Sequence, residues 1–258
     1  MFDWQAVFNS INPAQWGLGK SPTPQDYPDA LTAIHASGRY DRSPKTLAKA
    51  MDRYVNGLGA DIVSVTEVQN DSRARALHLP GRSLVRMGNH SGLRELAISY
   101  SDALPVTVRR ADEVSHTTYT RVGGATAPPK GMTYIGLANG MVYATMHLPN
   151  TVGNRRFTNQ ATRRNQAYIE AVLNSSRILK DFTSGILACD FNARLGLPGQ
   201  MRHLLDTAYA RAGFHRVSGF SGIDGMYVKN VVVIRTSMLA PNSSSDHAPI
   251  LLRFKVKS

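Results

Sequence analysis

Apolar and polar positions along this chain repeat at two spacings, and the switches between them mark strands and helices. Trp4 to Phe8 is a short apolar-rich run ending at Asn9, which predicts an opening strand. Residues 10 to 42 lose periodicity and are rich in Pro, Gly, Ser and Asp. They predict a long loop, with room for a short helix near Ala30 to Ile34. A loop of that length inside a compact domain points to a functional role. Ser43-Pro44 opens the first clear helix, because serine caps free backbone amides and proline fits the first turn. Leu47, Met51, Tyr54, Val55 and Leu58 then form a helical stripe, with Gly57 and Gly59 as stops. Asp61 to Val65 reads as a strand, followed at once by Glu67.

Further strands are predicted at Leu84 to Met87, Leu96 to Tyr100, Val106 to Arg109, Met132 to Leu137 and Met141 to His147. The last two flank Asn139-Gly140, a strong hairpin signal. A second helix is predicted over Phe157 to Leu173, and Gly185 to Ala188 leads as a strand into Cys189-Asp190. Residues 199 to 212 read as helix. Gly222 to Tyr227, Val231 to Ile234 and Ile250 to Val256 read as strands. No internal repeat, low-complexity linker or composition break interrupts this order, so a single α/β domain over residues 1–258 is expected.

Composition changes the picture in two ways. Thirty Lys and Arg against eighteen Asp and Glu give a formal charge of +12, which suits a polyanionic partner. Cys189 is the only cysteine, so an internal disulfide and a thiolate-rich metal site are both excluded. A lone cysteine is ordinarily a small buried hydrophobe. No apolar run approaches the length a membrane span needs, and the first residues lack the basic start of a secretory signal. A cytoplasmic protein with no obligate protein partner is expected.

Asp, Glu, Asn and His gather where predicted strands end: Asn9, Glu67, His147, Asp190 with Asn192, and Asp246 with His247. Oxygen donors of this kind suit a hard cation such as Mg2+, with Mn2+ also plausible. Asp190 and Asn192 are two apart, so in extended backbone they face the same way while Phe191 packs behind. Viewed alone, the same triplet is also a common turn or helix cap. Histidine is a natural general base near neutral pH. Adjacent side chains diverge, so the acid orienting a histidine must come from elsewhere. His147 with Asp190, or His247 with Asp206 or Asp224, are the open pairings.

ADIVSVTEVQ, ATMHLPN, GILACDFNA, GIDGMYV and SSDHAPI resemble, in the same order, the motif series of the endonuclease/exonuclease/phosphatase superfamily. The matches run from Phe8 to Ile250, and five elements in order are far more specific than any one of them. The resemblance implies a four-layer α/β sandwich, with two central mixed β-sheets flanked by helices. It implies a metal site of Glu67 with Asn9 and Asp246. It implies His147 on the scissile phosphate, Asp190 and Asn192 on the nucleophilic water and phosphate, His247 as base or phosphate ligand, and Asp224 supporting His247. Glu95 resembles a site-surround glutamate of pancreatic-type nucleases, and Arg121 their phosphate-contacting arginine, both by loose alignment. Thr66, Cys189 and Gly225 depart from the family pattern, each beside a motif residue rather than at one.

The implied reaction is Mg2+- or Mn2+-dependent hydrolysis of a phosphodiester. Arg155, Arg156, Arg163 and Arg164 follow His147 closely and are candidate phosphate contacts, although solvated helix positions explain them equally well. Such contacts give salt-sensitive affinity without base specificity. No helix-turn-helix, zinc-finger or aromatic RNA-binding motif is present. A DNA endonuclease of little sequence specificity is therefore expected. The alternatives are a phosphatase or phosphodiesterase for a small or lipid headgroup, and an inactive nucleic-acid-binding scaffold.

Overall fold

A computed structural model describes residues 44–66, 68, 71–86, 96–120, 126–127, 129–149, 159–192, 200–218, 224–238 and 250–257. The expected opening strand, the loop at 10–42 and Asn9, Glu67, Glu95, Arg121, Arg155, Arg156, Asp246 and His247 lie outside them.

Six strands form the main sheet, in the order β10-β11-β9-β8-β7-β4. They are β4 (Val106–Ser115), β7 (Lys130–Leu137), β8 (Met141–His147), β9 (Ser184–Asp190), β10 (His215–Arg216) and β11 (Asp224–Lys229), while β5 (Tyr119–Thr120) and β6 (Thr126–Ala127) form a separate pair. The sheet is mixed because β8 and β9 run parallel while the other described pairs are antiparallel. That parallel pair needs a crossover, and it is supplied by α3 (Asn159–Lys180). Opposite lies a layer built from β1 (Ile62–Val65), β2 (Arg82–Arg86) and β3 (Ala97–Ser101), ordered β1-β3-β2, and from the pair β12 (Val231–Met238) and β13 (Ile250–Val256). Every described pairing in this second layer is antiparallel.

The layers follow from which alternate residues are apolar. Ile98 and Tyr100 on one side meet Ile135, Tyr143, Ile186 and Met226 on the other, forming the core between the sheets. The opposite face of the main sheet, with Met132, Met146, Leu187 and Tyr227, packs on Tyr168, Val172 and Leu179 of α3 and on Leu205 and Tyr209 of α4 (Gln200–Arg211). On the far side, α1 (Pro44–Asp52) and α2 (Asp71–Ala76) cover β1 and β2 through Met51, Leu77, Val63 and Leu84. Helix, sheet, sheet, helix is the four-layer sandwich expected.

Several elements run longer than the hydrophobic pattern suggests. β4 continues past Arg109 to Ser115, so Arg109 and Arg110 sit in mid-strand rather than at a strand end. Alternation beyond Arg110 is broken by Asp112 and Glu113, which edge position tolerates: among the described residues β4 pairs only with β7 within its sheet. The crossover helix continues past Leu173 to Lys180, and within it Ser175 and Ser176 return their hydroxyls to the carbonyls of Val172 and Leu173 (3.0 and 3.1 Å). The first helix ends in a π-helical turn, Arg53–Gly57, before Gly59 in a left-handed conformation (φ 65°).

Candidate active site

Three of the expected residues sit side by side on neighbouring strands. His147 closes β8 and pairs in register with Asp190, which closes β9. Asp190 in turn pairs in register with Asp224, which opens β11. Side chains alternate across a strand. His147 therefore shares a face with Tyr143, Asp190 with Ile186 and Ala188, and Asp224 with Met226 and Val228, all of which line the core between the sheets. The row His147–Asp190–Asp224 thus crosses one end of that core.

Asp190 is the centre of the row and is only 5% exposed. One carboxylate oxygen accepts the backbone N–H of Asn192 at 2.9 Å. The other stands 3.4 Å from Nε2 of His147, an electrostatic contact slightly longer than a closed hydrogen bond. His147 with Asp190, one of the pairings left open by the sequence, is observed; His247 lies outside the described residues. Asp206 is committed elsewhere. It accepts the Tyr227 hydroxyl at 2.6 Å and Nε of Arg216 and Arg202 at 3.3 and 3.5 Å.

Asn192 does not continue the strand. Its φ of 46° is left-handed, a conformation asparagine tolerates better than most residues. Asp190-Phe191-Asn192 is therefore a turn closed by its own aspartate, rather than an extended triplet. Its amide donates to the carbonyl of Leu148 at 2.7 Å, and Leu148 N–H donates to the carbonyl of Asp190 at 3.0 Å. These two bonds tie the ends of β8 and β9 together beside His147.

The expectation that Phe191 packs behind is met. Its ring is fully buried and meets Tyr227 edge-on, with centroids 5.4 Å apart, and Tyr209 at 6.4 Å. Tyr168 of α3 donates its hydroxyl to the Phe191 carbonyl at 2.9 Å, the carbonyl at the middle of the turn. Burial pushes the Tyr168 hydroxyl well above its ordinary pKa, so it stays a donor. The helix predicted over Phe157 to Leu173 contains Tyr168, but helical periodicity does not signal this bond.

Cys189 points the other way, into the core shared with α3 and α4, and is 6% exposed. Burial, reinforced by Asp190 and Asp224, raises its pKa well above the usual value. The departure from the family pattern beside Asp190 is therefore a packed neutral thiol.

Arg163 is exposed on α3, and Arg164 lies half-buried with its guanidinium 5.2 Å over the ring of Tyr119. Lys229 contributes nothing to a phosphate track at this end: it caps the carbonyl of Lys180 at the opposite end of the sheet.

Asp190 and Asp224 are acids directly opposite each other on one face, an arrangement that is destabilising unless positive charge lies close by. The His147 imidazole stands beside Asp190. Hard oxygen donors with an excess of acid also fit Mg2+ or Mn2+. Among the described residues no three His, Cys, Asp or Glu gather closely enough to hold a metal, and Asn9, Glu67 and Asp246 lie outside them.

No family model and no curated protein matches the sequence. Solved structures do match, and the architecture is that of the endonuclease/exonuclease/phosphatase fold. A 3′ phosphatase from Neisseria bound to a product DNA hairpin superposes with a TM-score of 0.59 at 12% identity, over 83% of this chain and 96% of that one. An AP endonuclease from Archaeoglobus fulgidus gives 0.57 at 12% identity, over 83% and 96%. An endonuclease/exonuclease/phosphatase from Beutenbergia cavernae gives 0.56 at 14% identity, over 82% of this chain and 66% of that one.

Proposed function

We propose that this chain is a single-domain, metal-dependent phosphodiesterase that cleaves nucleic acid, most simply a cytoplasmic DNA endonuclease of little sequence specificity. The observation carrying this reading is the row His147–Asp190–Asp224, with Asn192 locked beside it. A structural ion pair has no need of three in-register polar residues at the end of an otherwise apolar core. Neighbours of the same fold include a phosphatase and an endonuclease, which supports phosphoester chemistry in general.

In this reading Asp190 or His247 takes a proton from the attacking water. His147, oriented by Asp190, and the Asn192 amide stabilise charge on the phosphoryl oxygens. Asn192 spends one of its amide hydrogens on Leu148, which fixes the direction of the other. Such preorganised donors contribute about 3 kcal/mol each to transition-state stabilisation. Asp224 supports His247. Glu67, with Asn9 and Asp246, would hold Mg2+ or Mn2+, which when bound supplies positive charge to the phosphate and leaving oxygen. Arg121, Arg155, Arg156 and Arg163 would contact the backbone phosphates, and Glu95 would border the site.

The test is a cleavage panel of plasmid, single-stranded DNA, RNA, an abasic duplex and phosphomonoesters, run with Mg2+, Mn2+ or EDTA. Glu67→Ala and His247→Ala are run alongside. Nicked plasmid that disappears with EDTA and in both variants is the expected result. Turnover of small phosphate esters alone would replace the nuclease reading with a phosphatase. Binding without cleavage under every metal condition would leave a scaffold.

A further inference from the structure

We infer that Arg164, held on Tyr119, is a preset subsite for a second phosphate of the substrate chain, remote from the phosphate that is cleaved. This deepens the nuclease reading and rests on it.

Several of the other arginines in the fold are already occupied. Arg82 spends its guanidinium on the carbonyls of Ala60, Asp61 and Ser99 and on the Ser99 hydroxyl. Arg202 and Arg216 share Asp206, Arg110 lies 4.0 Å from Asp112, and Arg109 bonds the Tyr100 hydroxyl. Arg164 differs. Among the described residues it has no carboxylate and no hydrogen-bond acceptor, and its Nε is buried without a partner. Its position is set instead by the face of Tyr119. An aromatic face fixes a guanidinium without neutralising it, so charge and N–H donors remain available to an anion.

The platform is itself fastened down. From Val114 to Tyr119 the chain is laid along α3 and held residue by residue. Asn174 Nδ2 donates to the Val114 carbonyl at 3.0 Å. Glu170 accepts the Ser115 hydroxyl at 3.0 Å and the Thr117 N–H at 3.1 Å. Ala167 packs on Tyr119. Residues 164, 167, 170/171 and 174 recur at helical spacing, so one stripe of α3 does all of this. Burial opposes ionisation of Glu170, but hydrogen bonds from Thr117, Ser115 and His116 outweigh it and hold its pKa below the usual value. The latch is thus charged at neutral pH.

The platform also stands at the right end of the molecule. A crossover helix starts where its first strand stops, so the beginning of α3 lies at the His147 end of β8. Ser115 pairs with Lys130, two residues before Met132, which faces Met146, so β4 ends level with His147. Two strand spacings, about 10 Å, separate them. Tyr119 stands four residues beyond Ser115, so the platform lies past the cleaved phosphate and suits another phosphate of a polynucleotide. A phosphomonoester has no group to place there.

The test measures binding and cleavage of labelled DNA oligonucleotides of two to sixteen nucleotides, as a function of length and salt, in the wild type and four variants. In the wild type, affinity should step up at the length that reaches the subsite. Arg164→Ala should abolish that step, weaken binding of the longer oligonucleotides roughly tenfold, and lower the salt slope by about one. Tyr119→Leu should do the same, whereas Tyr119→Phe, which keeps the ring, should preserve the step. Arg211→Ala, removing an exposed charge at the far end of α4, controls for net charge and should preserve it too. Equal weakening by Arg164→Ala and Arg211→Ala, or a step that survives Arg164→Ala, overturns the inference. Length-dependent binding through Arg164 without cleavage by the wild type would sink the catalytic reading and leave the subsite standing.

Discussion

At one end of the six-stranded sheet the chain reverses in tight turns. Asn139-Gly140 joins β7 to β8, with Gly140 at φ 79° and the Asn139 side chain accepting Met141 N–H at 3.1 Å. Asn230, at φ 48°, joins β11 to β12 and donates to the Thr183 carbonyl at 2.7 Å. Lys229 donates to the Lys180 carbonyl there, closing the end of α3. Polar side chains at this end satisfy backbone groups. At the other end the strands stop on His147, Asp190 and Asp224, and the polar side chains face one another. The same sheet is finished for stability at one end and left chemically loaded at the other. Substitutions at the two ends should therefore separate activity from stability.

The largest effect is expected at the loaded end. Asp190→Asn keeps an oxygen for the Asn192 N–H but removes the charge facing His147. Cleavage should fall about a thousandfold, equivalent to roughly 4 kcal/mol in the transition state. Stability should move by no more than about 1 kcal/mol, or roughly 2–4 °C in Tm, because the amide also relieves a buried charge. Steady-state kinetics beside a thermal melt decides it. A loss of activity matched by a collapse in Tm would mean that Asp190 is structural, and the contrast between the ends would disappear.

At the other end the balance should reverse. Gly185 follows the first residue of β9, and a Cβ there would meet Val142 Cγ1 at 2.5 Å, Phe214 Cζ at 3.0 Å and the Val142 carbonyl at 3.1 Å. The carbonyl belongs to the paired strand and cannot swing aside. Gly185→Ala should destabilise by about 1–3 kcal/mol through overpacking. The rate per folded molecule should stay at the wild-type value, measured well below the lowered Tm. A rate that falls in step with stability would show that the two ends are coupled through β9.

Much of this contrast is legible in the sequence. Asn139-Gly140 announced its turn, because few residues adopt the left-handed backbone a tight hairpin requires. The ends of β8 and β9 were legible too, since apolar runs stop there on His147 and Asp190. Period-two alternation placed Phe191 on the face opposite Asp190. It misjudged Asn192, because a side chain that bonds a neighbouring strand's carbonyl overrides the extended backbone assumed for it. What lay beyond the pattern was long-range. Nothing local to Tyr168 says that its hydroxyl reaches Phe191 across 23 residues, or that Arg164 rests on Tyr119. Asp206 looked as eligible as Asp190 to partner a histidine, and only packing reveals that Tyr227 and two arginines hold it.

Tyr168 tests whether the loaded end depends on support from the layer behind it. Its hydroxyl is the single described bond from α3 to the turn between Asp190 and Asn192, and burial leaves no water to replace it. Tyr168→Phe deletes one oxygen and keeps the ring in the core. The Phe191 carbonyl then loses its partner in an apolar setting, at a cost of about 1 kcal/mol. A purely structural bond would show only as that small drop in stability. A bond that aims Asp190 and Asn192 should also lower kcat several-fold while leaving KM unchanged, since the ring touches no substrate. Tyr209→Phe provides the comparison: its hydroxyl pairs with Ser175, deeper between α3 and α4, and contacts no backbone of the turn. The two variants should lose similar stability, and only Tyr168→Phe should lose kcat. If both lose it, the aromatic cluster behind Phe191 works as one packed unit, and the division between the ends runs through the layers as well as along the strands.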